Sequence, residues 1–195
     1  MLLGASYEMG AGVADGEIFP ALLEEMLARR TSASRSTPWE VLNASIGGYG
    51  LVQRAELLRR ELSSLEADLV VLTIYTTEEN RLLNHLGYVA AEGLAVEAGL
   101  AEVLARAGVE PGTRRAAARE ALRPHAEAAM AWALRRLAEE VRGRGVPLIA
   151  VTVPTAADLD LDPATVTAEL ARLRTLAEAA GIEVLDLGDV YGGRS

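Results

Sequence analysis

The sequence predicts an α/β fold: a three-layer domain with about five parallel strands, helices on both faces of the sheet, and a helical insertion after the third strand. Two observations carry this. Apolar runs alternate with segments of helical periodicity along the whole chain. Three of the runs, DLVVLTIY, VPLIAVTV and IEVLDL, are almost continuously apolar, as strands buried on both faces of a parallel sheet must be.

The elements follow in order. Residues 1–3 are a strand stub running into Gly4, and Gly10, Gly12 and Gly16 mark a loop. Residues 17–30 have helical spacing, with Phe19, Leu22, Leu23, Met26 and Leu27 on one face. Residues 39–43 read as a short second strand, ended by Gly47, Gly48 and Gly50. Leu51–Leu65 is a helix whose apolar side carries Leu57, Leu58, Leu62 and Leu65. Residues 68–75, 146–153 and 182–187 are the three apolar strands. Between the first two of these, residues 87–107 and 113–142 are helical, split at 108–112, so that 81–145 form the insertion. Trp132, Leu134, Leu137 and Val141 make a stripe along it, which reads as core or as a lid or partner surface. A last helix runs from about Pro163 to about Ala180. No repeat or linker divides the chain, so residues 1–195 read as one domain with right-handed crossovers.

Composition removes whole classes of function. The chain has 195 residues, half of them hydrophobic, enough to bury a core. A net charge of -9 and the lack of a basic stripe argue against a nucleic-acid partner. There is no apolar run of about 18 residues, so no membrane span is expected. Cysteine is absent, which excludes disulfides, thiolate catalysis and cysteine-ligated metals. All 19 basic residues are Arg. Without Lys there is no P-loop, no Schiff-base amine and no Ser-x-x-Lys hydrolase. Asp158, Asp160 and Asp162 are spaced like a calcium loop, but Pro163 stands where such a loop turns on glycine. Asp162 followed by Pro163 reads instead as a helix cap. Gly10, Gly12 and Gly16 miss the dinucleotide spacing. No metal and no cofactor are expected.

Ligands of parallel sheets bind beyond the carboxyl ends of the strands. Gly4-Ala5-Ser6 comes after the first strand, Asn43-Ala44-Ser45-Ile46-Gly47-Gly48-Tyr49 after the second, and Thr76-Thr77-Glu78-Glu79-Asn80 after the third. A serine hydroxyl there is a candidate nucleophile, and N–H groups of glycine turns are candidate oxyanion donors.

The series GAS…NASIGGYGLVQ…DLVVLTIYTTEEN resembles the SGNH (GDSL-type) hydrolases. That resemblance implies a flavodoxin-like sheet and a serine ester hydrolase acting on an acyl or acetyl ester, small-molecule or glycan. It covers residues 1–80 by motif and the remainder by architecture. Ser6 matches the nucleophile and Gly48 the oxyanion glycine, with Asn43 five residues before it. Ala5 replaces the family Asp. Glu78 stands where the family has its oxyanion Asn, and an ionised carboxylate can only accept hydrogen bonds. Glu78→Asn is therefore expected to restore a donor. Asn80 is a substitute donor if the loop shifts by two residues, and Tyr49 a substrate-binding residue. The family's Asp-x-x-His is not found after the last strand, and the two histidines, His85 and His125, fall in the insertion. Three readings remain: a hydrolase, a fold of the same type that binds a glycan, an acyl group or a protein, or a fragment of an active hydrolase. Substrate, base, compartment and oligomeric state are left open by the sequence.

Overall fold

The structure is a computed structural model that describes residues 1–31 and 38–188. The side chains of residues 31, 62, 63, 156 and 159 also lie outside the described set, and with them the placement expected for Leu62. The described residues contain a four-stranded parallel sheet in the order β1 (Leu2–Leu3), β2 (Val70–Tyr75), β3 (Leu148–Val153), β4 (Glu183–Asp186). Leu2 pairs with Val71, Val71 with Ile149, and Ile149 with Glu183.

The expected second strand at 39–43 is reduced to one parallel bridge, Asn43 to Leu2. Leu2 N–H donates to the Leu42 carbonyl at 2.8 Å, and Ala44 N–H to the Leu2 carbonyl at 2.9 Å. The reason is the length of β1, which offers only two residues for pairing. With this bridge counted, the chain segments lie in the flavodoxin-like order, the 42–44 segment outermost beside β1.

Strand alternation assigns the two faces of the sheet. Val70, Leu72 and Ile74 point into a core with Leu51 and Leu58 of α3 (Leu51–Leu65), Leu82 and Leu86 of α4 (Glu78–Ala91), and α7 (Ala126–Arg142). Leu134, Leu137 and Val141 of α7 are buried there, so most of the predicted stripe is core. Trp132 is partly buried, packed against the same core and over Gly99 at the edge of a groove. The opposite sheet face is less covered. Leu185 is 54% exposed, against the expectation of burial on both faces for that run. The helix on that side, α2 (Phe19–Thr31), packs on the short α1 (Ser6–Met9) and leaves Phe19, Leu22 and Met26 exposed.

The region between β2 and β3 holds α4, α5 (Ala98–Arg106), α6 (Arg115–Leu122) and α7. The breaks fall elsewhere than expected. α4 starts at Glu78 and closes with Gly93 N–H on the Ala90 carbonyl and Leu94 N–H on the Val89 carbonyl. Pro124, which has no N–H to donate, sits in the 3-10 turn between α6 and α7. α8 (Pro163–Ala179) opens as expected, Asp162 accepting from Thr165 N–H at 3.2 Å. No helix among the described residues is long and apolar enough to cross a membrane.

Candidate active site

Ser6 follows β1 as the first residue of α1, half-buried, with Ala5 buried before it. The loop from Asn43 then passes over it. Ile46 and Tyr49 close a β-turn, Tyr49 N–H donating to the Ile46 carbonyl at 3.2 Å, with Gly48 at φ +83°. That left-handed angle is the one a type II turn demands at its third position, and glycine adopts it without strain. A Cβ built on Gly47 would lie 3.9 Å from the Ser6 Cβ and 3.3 Å from the Met9 methyl. The turn and the serine are therefore neighbours at the carboxyl edge of the sheet, while the space above Gly48 is open.

Beneath Ser6 lies Glu8, 3% exposed. Its carboxylate accepts from Ala5 N–H at 2.7 Å and from the Tyr75 hydroxyl. Asn43 donates from Nδ2 to the Glu8 carbonyl at 2.8 Å and accepts from Ser45 N–H at 3.2 Å. These bonds join the ends of β1 and β2 to the turn-bearing loop. Gly4 is required by this packing, because a Cβ there would lie 2.2 Å from Glu8 Oε2.

Glu78 is not in a loop. It is the first residue of α4 and is fully buried. Thr77 followed by two acidic residues is a helix-start signal that places it there. Its Oε1 accepts from Arg54 Nη2 at 2.9 Å, while Oε2 is buried without a partner. Burial pushes the carboxyl up from its ordinary range; Arg54 and Arg81 pull it back only in part, and Glu8 adds to the rise. Arg54, also fully buried, donates from Nε and Nη2 to the Tyr49 carbonyl at 3.2 and 3.0 Å and from Nη1 to the Thr73 carbonyl at 2.7 Å. Its place on α3 was legible: position 54 shares the apolar face with Leu51 and Leu58, three and four residues away.

The remaining sequence-derived residues divide. Tyr49 is half-buried and, with His85, lines a groove of about 720 Å³ between α3, α4 and Trp132. Asn80 is exposed two residues along α4 from Glu78, and such pairs do not share a helix face, so it does not take the position of Glu78. Burial holds His85 below its ordinary range. Among the described residues neither histidine is hydrogen-bonded to Ser6. A separate apolar cavity of about 220 Å³ lies on the second sheet face, between Tyr7, Phe19, Val71, Tyr75, Val153 and Leu187. At the same sheet edge Asp158 accepts from Thr76 Oγ1 at 2.7 Å and Thr155 Oγ1 at 2.9 Å, fixing the end of β3 to that of β2. No group of three or more acidic or histidine side chains among the described residues is placed to hold a metal ion.

Neither a family model nor a curated protein matches the chain. Solved structures do. A variant of the esterase AlinE4 is 17% identical and aligns over 99% of this chain and 79% of its own, with a TM-score of 0.56. TesA is 16% identical, over 94% and 74%, at 0.54. A lipase/acylhydrolase from Enterococcus faecalis is 16% identical, over 98% and 77%, at 0.51. AlinE4 is described as an SGNH-hydrolase family esterase. The chain has the α/β fold of these proteins.

Proposed function

We propose that the chain carries an SGNH-type ester-hydrolase site for an acyl or acetyl ester. Ser6 is the nucleophile, and the N–H groups of Ser6 and Gly48 receive the oxyanion. The observation that supports this is the closeness of Ser6 to Gly47 in the Gly47–Gly48 turn at the carboxyl edge of the sheet. Ser6 N–H is the first of α1 and has no intrahelical acceptor. In this reading Ser6 Oγ bonds to the ester carbonyl carbon as its proton passes to solvent water, and the carbonyl oxygen takes the negative charge. The C=O then reforms as the C–O bond to the alcohol breaks, the alcohol taking a proton from water, and a water molecule hydrolyses the acyl-serine to release the acid and restore the hydroxyl. Among the described residues no imidazole is hydrogen-bonded to Ser6 to take the proton, so turnover is expected to be slow, lower than that of a complete triad by roughly 10⁴ or more.

A second reading is a binding module of the same fold. The observation that favours it is Glu78, sealed against Arg54 where the resemblance calls for a side-chain donor.

The test is hydrolysis of p-nitrophenyl acetate beside labelling by a fluorophosphonate, read by intact mass. The hydrolase reading expects slow turnover and one label, both lost in Ser6→Ala. Turnover and labelling that Ser6→Ala leaves unchanged, or no reaction in either protein, would remove Ser6 as nucleophile and leave the binding module.

A further inference from the structure

We infer that Arg54 is the positioning residue of the oxyanion turn, setting the direction of the Gly48 N–H toward Ser6 through the Tyr49 carbonyl, a role that rests on the hydrolase reading.

A buried guanidinium must find acceptors inside the protein, because its donors have left water. Arg54 is the largest side chain in the fully buried set. Its four side-chain bonds go to Tyr49, Thr73 and Glu78, so a single planar group touches the turn-bearing loop, the middle of β2 and the first residue of α4. Two of the four converge on one atom, the Tyr49 carbonyl oxygen. A two-donor clamp on one carbonyl fixes both where it lies and which way the peptide faces, which a point charge cannot do.

Tyr49 is the residue whose N–H closes the turn onto Ile46. Its N–H side is thus tied to Ile46 and its C=O side to Arg54. Gly50, next in sequence, accepts from Arg54 N–H at 3.0 Å and donates to the Gln53 side chain at 2.9 Å. The Gly48 peptide is what remains, held from one side. Glycine at φ +83° has no side chain to resist rotation, and a Cβ there would meet nothing within 4 Å, so the space on that side of the turn is open. On its C-terminal side the Gly48 turn is thus anchored at Tyr49, by the bond to Ile46 and by the Arg54 clamp.

Stability is a poor explanation for such a group. Replacing a buried ion pair with apolar side chains is often neutral or stabilising. A guanidinium fork at this point instead compensates chemically for Glu78. Where position 78 supplies no donor to the oxyanion, more of the stabilisation falls on backbone N–H groups, and their aim matters more.

The test compares wild type, Arg54→Lys and the double variant Arg54→Met with Glu78→Met. Lys keeps the charge beside Glu78 but loses the fork. The readouts are kcat and KM with p-nitrophenyl acetate, the fluorophosphonate labelling rate at Ser6, and hydrogen exchange at residues 46–50. The expected result in Arg54→Lys is a fall of roughly 10²-fold in kcat and labelling rate, the cost of a displaced backbone donor, with KM changed by less than about twofold. Exchange rises at 46–50 and stays unchanged in β2 and α7. A folded Arg54→Lys protein with wild-type kcat and wild-type exchange at 46–50 overturns the inference. Should Arg54→Lys not fold, the double variant is read by the same criteria. Should wild type itself not react at Ser6, the hydrolase reading fails, and the exchange comparison alone decides whether Arg54 holds the turn.

Discussion

Glu78→Asn is the most informative perturbation. The sequence presents it as the restoration of an oxyanion donor, but the packing around it gives it a different first consequence. Asn is one methylene shorter than Glu, so Arg54 Nη2 loses its acceptor at 2.9 Å. The guanidinium then stays fully buried with carbonyl oxygens alone for partners. Removing one member of a buried ion pair costs about 3–5 kcal/mol. The lower end applies, because Arg54 retains three bonds to the Tyr49 and Thr73 carbonyls and because the unpartnered Oε2 disappears with the carboxylate. A loss of about 3 kcal/mol lowers the melting temperature of a chain this size by about 6–12 °C.

The assay is urea and thermal unfolding by circular dichroism on wild type, Glu78→Asn and Glu78→Gln. Gln keeps the length and the acceptor and loses the charge, so its loss is smaller than that of Asn. A pH series checks the sign. Burial raises the Glu78 carboxyl above its ordinary value of 4.5, so the folded state binds that proton more tightly than the unfolded chain. Stability is then lost as pH rises from 4.5 through the raised value, and the advantage of wild type over Glu78→Gln narrows in that direction. A Glu78→Asn protein within about 1 kcal/mol of wild type, or a gap that widens as pH rises, refutes the reasoning.

Three further outcomes are expected from the same packing. Gly4→Ala drives a Cβ to 2.2 Å from Glu8 Oε2, a carboxylate already held by Ala5 N–H and Tyr75, and should cost about 1–3 kcal/mol in urea unfolding; Gly4→Ala with Glu8→Ala should recover part of it. Gly48→Ala meets open space, so its loss is confined to the left-handed backbone, about 1–2 kcal/mol, and a larger loss would mean that the turn is packed from above. Burial lowers the His85 imidazole from its ordinary 6.5, so the folded state binds that proton less tightly. The His85 contribution to stability should fall as pH drops below about 6.5, opposite in sign to that of Glu78, so the stability of His85→Gln relative to wild type should rise toward acid pH in a urea series; a difference that does not change with pH would remove His85 from the acid response.

Elements whose cause is local could be read from the amino acids alone. DLVVLTIY became β2 because an apolar run of β-branched residues has no amphipathic alternative, and Leu51–Leu65 became α3 between the same bounds that its periodicity gave. Asp162 and Pro163 fixed the start of α8 for reasons contained in two residues. That Ser6 and the Gly47–Gly48 turn lie at one sheet edge follows in the same way, since parallel strands deliver the loops at their carboxyl ends to one edge. Features that depend on distant partners were not legible. Residues 39–43 have strand composition, but pairing needs a neighbour, and β1 supplies a single bridge. Glu78 looked like a charge facing an oxyanion, because its partner Arg54 lies 24 residues back and reaches it only once α3 packs beside α4. Glu8 reads in the sequence as one acid in a polar loop, and only the fold brings Tyr75 from β2 onto its carboxylate. Periodicity encodes which face of an element is buried; which buried polar groups then find each other is settled by three-dimensional packing, because a desolvated charge takes whatever partner the packing supplies.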